Sequence, residues 1–141
     1  MKKAILALSM LVVLASCKKD KNDEQITPTK ENLTGSYKMT AATLASGGTS
    51  VDIFNNPTFF EACDRDDIYK LNADLTYEIV DAGMVCNPDN NYTGGTWSLV
   101  STTSINIDGD VYTIKSWNGK TLVGEFNDGS GLSGTVTYVK Q

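Results

Sequence analysis

The densest group of reactive side chains is Glu61, Cys63, Asp64, Arg65, Asp66 and Asp67, five charges and a thiol within seven positions. Clustered carboxylates can run acid–base chemistry on a glycoside, which needs two acids facing each other at about 5 to 9.5 Å, one with its pKa raised by burial. Acids packed beside a cysteine in a loop, with Arg65 as their partner, have instead the composition of a solvated turn, and catalysis is not expected from them. The chain has no His, which removes Ser-His-Asp and Cys-His nucleophiles, HExxH zinc hydrolases and mixed Cys/His zinc sites. Asp108-Gly109-Asp110 and Asn127-Asp128-Gly129-Ser130-Gly131 offer oxygen ligands for calcium. Neither follows the EF-hand loop pattern, so both are expected to be turns. No catalytic residue, metal ligand or cofactor is assigned.

The start of the chain carries chemistry of another kind. Lys2 and Lys3 precede a nearly unbroken apolar run of twelve residues, Ala4 to Ala15, and small Ala15 and Ser16 stand just before Cys17. A bilayer-spanning helix needs about 20 apolar residues, so residues 1–16 are expected to be a cleaved signal. Leu14-Ala15-Ser16-Cys17 resembles the lipobox of bacterial lipoproteins, in which the cysteine thiol is alkylated by a diacylglyceryl group and the signal is cut just ahead of it. The resemblance implies three acyl chains, palmitate among the candidates, on Cys17. At about 0.8 kcal/mol per buried CH₂ this would be an effectively permanent membrane anchor. Three cysteines in an exported chain are an odd number; lipidation of Cys17 leaves Cys63 and Cys86 as a pair.

Residues 17–32 are expected to be the lipidated N-terminus and a flexible tether. From Lys18 to Asn32 there are four Lys, four acidic residues and a single apolar side chain of size, Ile26, too little to offset the entropy of ordering. The run Lys18 to Glu24 is similar to the charged signals that send some Gram-negative lipoproteins to the cell surface. A solvated spacer at the periplasmic face of the outer membrane fits the same composition, and both destinations stay open. Residues 33–141 hold 13 acidic and 6 basic side chains, a net −7 within the whole chain's −5. That balance argues against a nucleic-acid partner, which is held largely by Lys and Arg.

The elements that must position anything in this domain are strands. Short alternating runs recur between turn signals, and no long stretch keeps a helical period. Strands are expected over Thr34–Leu44, Asp67–Asn72, Leu75–Asp81, Gly95–Val100, Ser104–Asp108, Val111–Trp117, Thr121–Asn127 and Leu132–Val139. Val51–Phe54 adds a short extended piece, and Asn56-Pro57 opens a short helical turn over Pro57–Ala62. Asp108-Gly109 and Asn118-Gly119 are two-residue hairpin signals. Eight sequential antiparallel strands can close into an up-and-down β-barrel with no free edge. Cys63 lies ten residues before the turn at Ala73 and Cys86 thirteen after it, which brings both to one open end. Bridging them would close 24 residues and stabilise the fold by about 3 kcal/mol.

Leu33-Thr34-Gly35-Ser36-Tyr37, Cys63-Asp64-Arg65-Asp66-Asp67, Cys86, and Gly95-Thr96-Trp97-Ser98-Leu99 followed by the Ile105 to Ile114 hairpin occur in an order that resembles the small lipocalin-like domains of Gram-negative lipoproteins. Tyr37 stands where the family opens with Trp, and the domain is shorter than a typical lipocalin. The resemblance implies an up-and-down barrel that binds a small apolar molecule.

Alternation places Tyr37, Met39, Tyr69, Tyr77, Trp97, Leu99, Tyr112, Phe126 and Tyr138 on the inward faces. A ligand within the barrel would meet these residues. So many tyrosines imply an interior with polar spots, or a filled core whose hydroxyls reach the barrel ends. No Lys or Arg falls on the inward set, so no clamp for a fatty-acid carboxylate is visible. The competing class is a surface module for glycans or a protein partner, with a solid core and an exposed platform. Its candidates are Phe54, Phe59, Phe60, Tyr92 and Trp117, chiefly Tyr92 and Trp117.

Overall fold

Short turns between alternating runs leave each strand one easy partner, its sequence neighbour. In a computed structural model, which describes residues 24–86 and 91–141, nine strands follow that rule. They are β1 (Gly35–Ser46), β2 (Thr49–Asp52), β3 (Ile68–Leu71), β4 (Thr76–Val80), β5 (Tyr92–Ser101), β6 (Ser104–Ile107), β7 (Asp110–Trp117), β8 (Thr121–Asn127) and β9 (Leu132–Lys140). All pairings are antiparallel, and β1 pairs with β9 to close an eight-stranded barrel. β2 is a flap outside the ring. It pairs only with Thr43–Ser46 of β1, while Gly35–Lys38 on the same edge pair with β3.

One strand therefore serves three neighbours, and a bulge adapts it. The β1–β9 register slips between Met39 and Ala41, inserting Thr40 and moving the inward face from Tyr37 to Ala42 and Leu44. The simple alternation Tyr37, Met39, Ala41 stops at this point, and Ala41 is exposed. The Asp108-Gly109 turn forms with both residues at positive φ, 53° and 98°, as a type I′ turn demands. At Ala73-Asp74 the turn runs one residue longer than expected. Leu75 takes φ 72° and is exposed, so it caps the hairpin instead of facing inward.

The helical turn expected over Pro57–Ala62 is cut to a single turn, in which the Asn56 carbonyl accepts from both Phe59 N–H and Phe60 N–H at 3.0 and 3.1 Å. A 3-10 turn follows at Asp64–Asp66, where the chain bends to bring Cys63 beside Cys86.

The N-terminal segment corrects a second expectation. From Gln25 the polar stretch is not a free tether; it plugs one end of the barrel. Thr29 caps a four-residue helix, α1 (Lys30–Leu33), in a capping box with Asn32. The Trp117 carbonyl accepts from Ile26 N–H at 2.8 Å, and Gln25 Oε1 accepts from Trp117 N–H at 3.0 Å. Leu33, fully buried, drops into a cluster with Tyr37, Leu71, Trp97, Trp117 and Leu122. The polar atoms in this floor are satisfied. Tyr37 Oη donates to the Leu33 carbonyl at 2.6 Å, Trp97 Nε1 to the Asn72 carbonyl at 2.8 Å and Trp117 Nε1 to Asn32 Oδ1 at 3.0 Å. Lys140 Nζ donates to the Asn32 carbonyl at 2.8 Å and lies 5.9 Å from the ring centres of both Tyr37 and Trp117.

Candidate functional site

Between this floor and the opposite end lies a chamber of about 360 Å³, within the range of small-molecule sites. Its base is Leu71, Ile105, Ile114 and Leu122, from β3, β6, β7 and β8. Its wall carries Tyr69, Tyr77, Tyr112 and Tyr138. Its mouth is framed by Leu44, Ile53, Phe60 and Phe126, positions at the far ends of β1 and β8 and in the connections that follow β2.

Of the nine residues expected inside, six line the chamber: Tyr37, Tyr69, Tyr77, Tyr112, Phe126 and Tyr138. Three do not. Met39 is buried but sits at the bulge, off the lining face; Trp97 is built into the floor; and Leu99, opposite Ile105, packs against the floor cluster on the part of β5 that runs past Trp97 toward the closed end. The alternation missed Gly124. The inward face of β8 reads Leu122, Gly124, Phe126, and a Cβ built on Gly124 would meet nothing within 4 Å. A strand-interior glycine weakens the sheet and often marks a place where something must approach the backbone.

Burial holds the wall tyrosines in their O–H form. Tyr69 is pushed up to about 12, first by burial and then by the charges of Asp67 and Asp64. Burial raises Tyr77, Tyr112 and Tyr138 as well. The Tyr69 and Tyr138 rings meet edge-on at 5.1 Å.

The mouth loops are joined by the cysteines that the sequence paired. Cys63 and Cys86 lie at disulfide distance, Cα to Cα 5.3 Å, and Asp66 Oδ2 accepts from Met84 N–H at 2.8 Å alongside them. The acidic cluster is structural in geometry: Asp64 Oδ2 accepts from Glu61 N–H at 2.8 Å. Arg65, expected to pair with the acids, donates to the Phe60 carbonyl at 3.4 Å instead, and among the described residues it makes no ion pair. Burial raises the Asp67 carboxyl, with the charge of Asp81 adding to it. Both Asp81 carboxylate oxygens are covered and, among the described residues, have no hydrogen-bond partner. Glu61 approaches Cys63 and Cys86, but the two sulfurs are spent on each other.

The turn carboxylates are taken up by backbone N–H groups. Asp108 Oδ1 accepts from Thr96 N–H of β5 at 2.7 Å, and Asp128 Oδ1 accepts from Ser130 N–H within its own turn at 2.8 Å. Of the platform aromatics, Trp117 is 1% exposed, because the N-terminal plug covers it; it cannot present a face to a sugar. Tyr92 and Phe59 are exposed, Phe60 lines the mouth, and Phe54 packs on Phe60 with ring centres 6.1 Å apart. Cys17 lies outside the described residues. Compared with known proteins, the chain matches no family model, no curated protein and no solved structure.

Proposed function

We propose that the chain is a lipocalin-like lipoprotein, anchored through a lipid on Cys17, that holds a small neutral apolar or amphipathic molecule inside its barrel. The observation that carries the binding role is Gly124: on the inward face of a strand, where a side chain would fill the core, the chain has none, and a chamber stands there. Among the described residues its lining carries no Lys or Arg, so the ligand brings no anionic head that needs pairing. The signal-like start and the Leu14-Ala15-Ser16-Cys17 tetrapeptide support the anchor and an outer-membrane location, at the surface or facing the periplasm.

The test uses N-phenylnaphthylamine, a neutral dye that brightens in apolar surroundings. The full chain should bind it saturably, and Gly124→Leu should abolish binding while leaving the far-ultraviolet circular dichroism and the melting curve intact. Equal dye binding by both proteins would place the dye outside the chamber and end this proposal. For the anchor, radiolabelled palmitate should mark the wild type and not Cys17→Ser.

A second reading, docking of a glycan or protein at the mouth, is favoured by the exposed Phe59, Met84, Val85 and Tyr92. Gly124→Leu would leave such a partner bound, which separates the two.

A further inference from the structure

Tyr69, Tyr77, Tyr112 and Tyr138 come from four different strands, β3, β4, β7 and β9, and converge on the chamber. The Tyr69 and Tyr138 rings meet edge-on with centres 5.1 Å apart, and Tyr77 and Tyr112 line the same space. Tyr37, one level below, shows what a phenol with a structural task looks like, since its hydroxyl donates to the Leu33 carbonyl at 2.6 Å. Among the described residues, none of the other four hydroxyls meets a protein donor or acceptor, and none is among the atoms sealed from space, so they open on the chamber. Phenylalanine would pack such a wall equally well and would bring no polar atom needing a partner.

The nearby charges that act on these phenols are carboxylates. Asp67 and Asp64 act on Tyr69, Asp108 on Tyr77, and Asp110 and Asp108 on Tyr112. Four O–H donors in a chamber whose lining, among the described residues, holds no Lys or Arg favour an acceptor that is itself uncharged, because an anion entering there would lose its water and gain no cation.

We infer that the four tyrosines form a subsite for a neutral oxygen acceptor, such as a ketone, ester or ether oxygen on a compact apolar body, and that they reject carboxylates. This rests on the barrel being the binding site, and the test separates the two claims. The full chain is titrated, following its intrinsic fluorescence, with a matched series: acetylnaphthalene, ethylnaphthalene, naphthoate and naphthylmethylammonium. The ketone should bind about tenfold more tightly than the hydrocarbon, the value of one net hydrogen bond, and naphthoate should bind more weakly than the ketone. Combining Tyr77→Phe with Tyr112→Phe should bring the ketone-to-hydrocarbon ratio toward one while ethylnaphthalene still binds, which also shows that the variant is folded. If ketone and hydrocarbon bind the wild type equally, the subsite is refuted and the barrel reading stands. If none of the series binds, the barrel reading falls and the subsite with it. Tightest binding by naphthoate or by the ammonium would overturn the neutral-acceptor assignment.

Discussion

At the floor of the barrel, a phenol, two indoles and an ammonium are all buried or half-buried, and each donates to an oxygen between 2.6 and 3.0 Å away. At the mouth and in the chamber wall the same kinds of group are treated differently. Among the described residues, four phenol hydroxyls meet no protein donor or acceptor, Arg65 Nε and oxygens of Asp66, Asp67 and Asp81 are covered without one, and large apolar side chains such as Met84 and Phe59 face water. Unsatisfied groups are tolerated in native proteins mainly where something other than stability decides the residue. The contrast assigns folding to the floor and, on the binding role proposed above, leaves recognition to the other end.

The largest break in that contrast comes from the floor. Trp117→Ala should destabilise by about 3 to 5 kcal/mol, a large part of the 5 to 15 kcal/mol or so that holds a domain together. Chemical denaturation would measure it, and a loss under about 1 kcal/mol would mean that the plug is an ornament on a barrel held elsewhere. Replacing Cys63 and Cys86 together by Ala should cost about 3 kcal/mol through the freed 24-residue loop. In hydrogen exchange the added opening should fall on the mouth loops and spare the floor strands.

Single hydroxyls sharpen the comparison. Tyr37→Phe should cost about 1 kcal/mol, because the Leu33 carbonyl loses its donor. Tyr112→Phe should cost nothing or stabilise slightly, since no protein bond is lost. Equal losses in the two variants, read from the same denaturation curves, would erase the distinction between floor and wall.

Alkaline titration probes the wall again. Tyr69 holds its proton more tightly when folded, up to about 12, than the ordinary tyrosine value near 10. Its contribution is therefore fully present below about pH 10 and is lost as the pH climbs toward 12. Phenolate absorbance followed against pH should show a late-titrating step that Tyr69→Phe removes. The smallest effect belongs to Asp67, whose carboxyl is raised by burial and by Asp81. The native state then favours the protonated form, so stability is greatest below the unfolded pKa and falls as pH rises through the folded one. Asp67→Asn should raise stability at neutral pH by about 0.5 kcal/mol or less, since the group is only partly buried and solvent screens it.

Much of this architecture was legible in the sequence, and the failures share a cause. Alternation and Asp-Gly turns are local, so the strands, the closed barrel and six of the chamber residues could be read from neighbours along the chain. The bulge at Thr40 arises because β1 must satisfy β3, β2 and β9 together, a condition no local pattern contains. Trp117 sits at a strand end beside Asn118-Gly119, where exposure is the natural expectation; Gln25, Ile26 and Asn32 cover it from roughly 90 residues away in the chain. Gly124 carried a readable signal. It occupies an inward position between Leu122 and Phe126, and a strand glycine without a turn to make calls for an explanation.

The plug also decides where the molecule can be gripped. The chain joins the barrel at the floor, through Ile26 N–H on the Trp117 carbonyl and Gln25 Oε1 on Trp117 N–H. Whatever holds the residues ahead of Glu24 therefore holds the barrel by its sealed end and turns the mouth away from the point of attachment. Tension along that segment would first peel Gln25 to Asn32 off the floor, contact by contact, before it loaded the edge of a strand. The plug would act as a mechanical fuse, taking the load ahead of the strands and leaving the ring of eight closed.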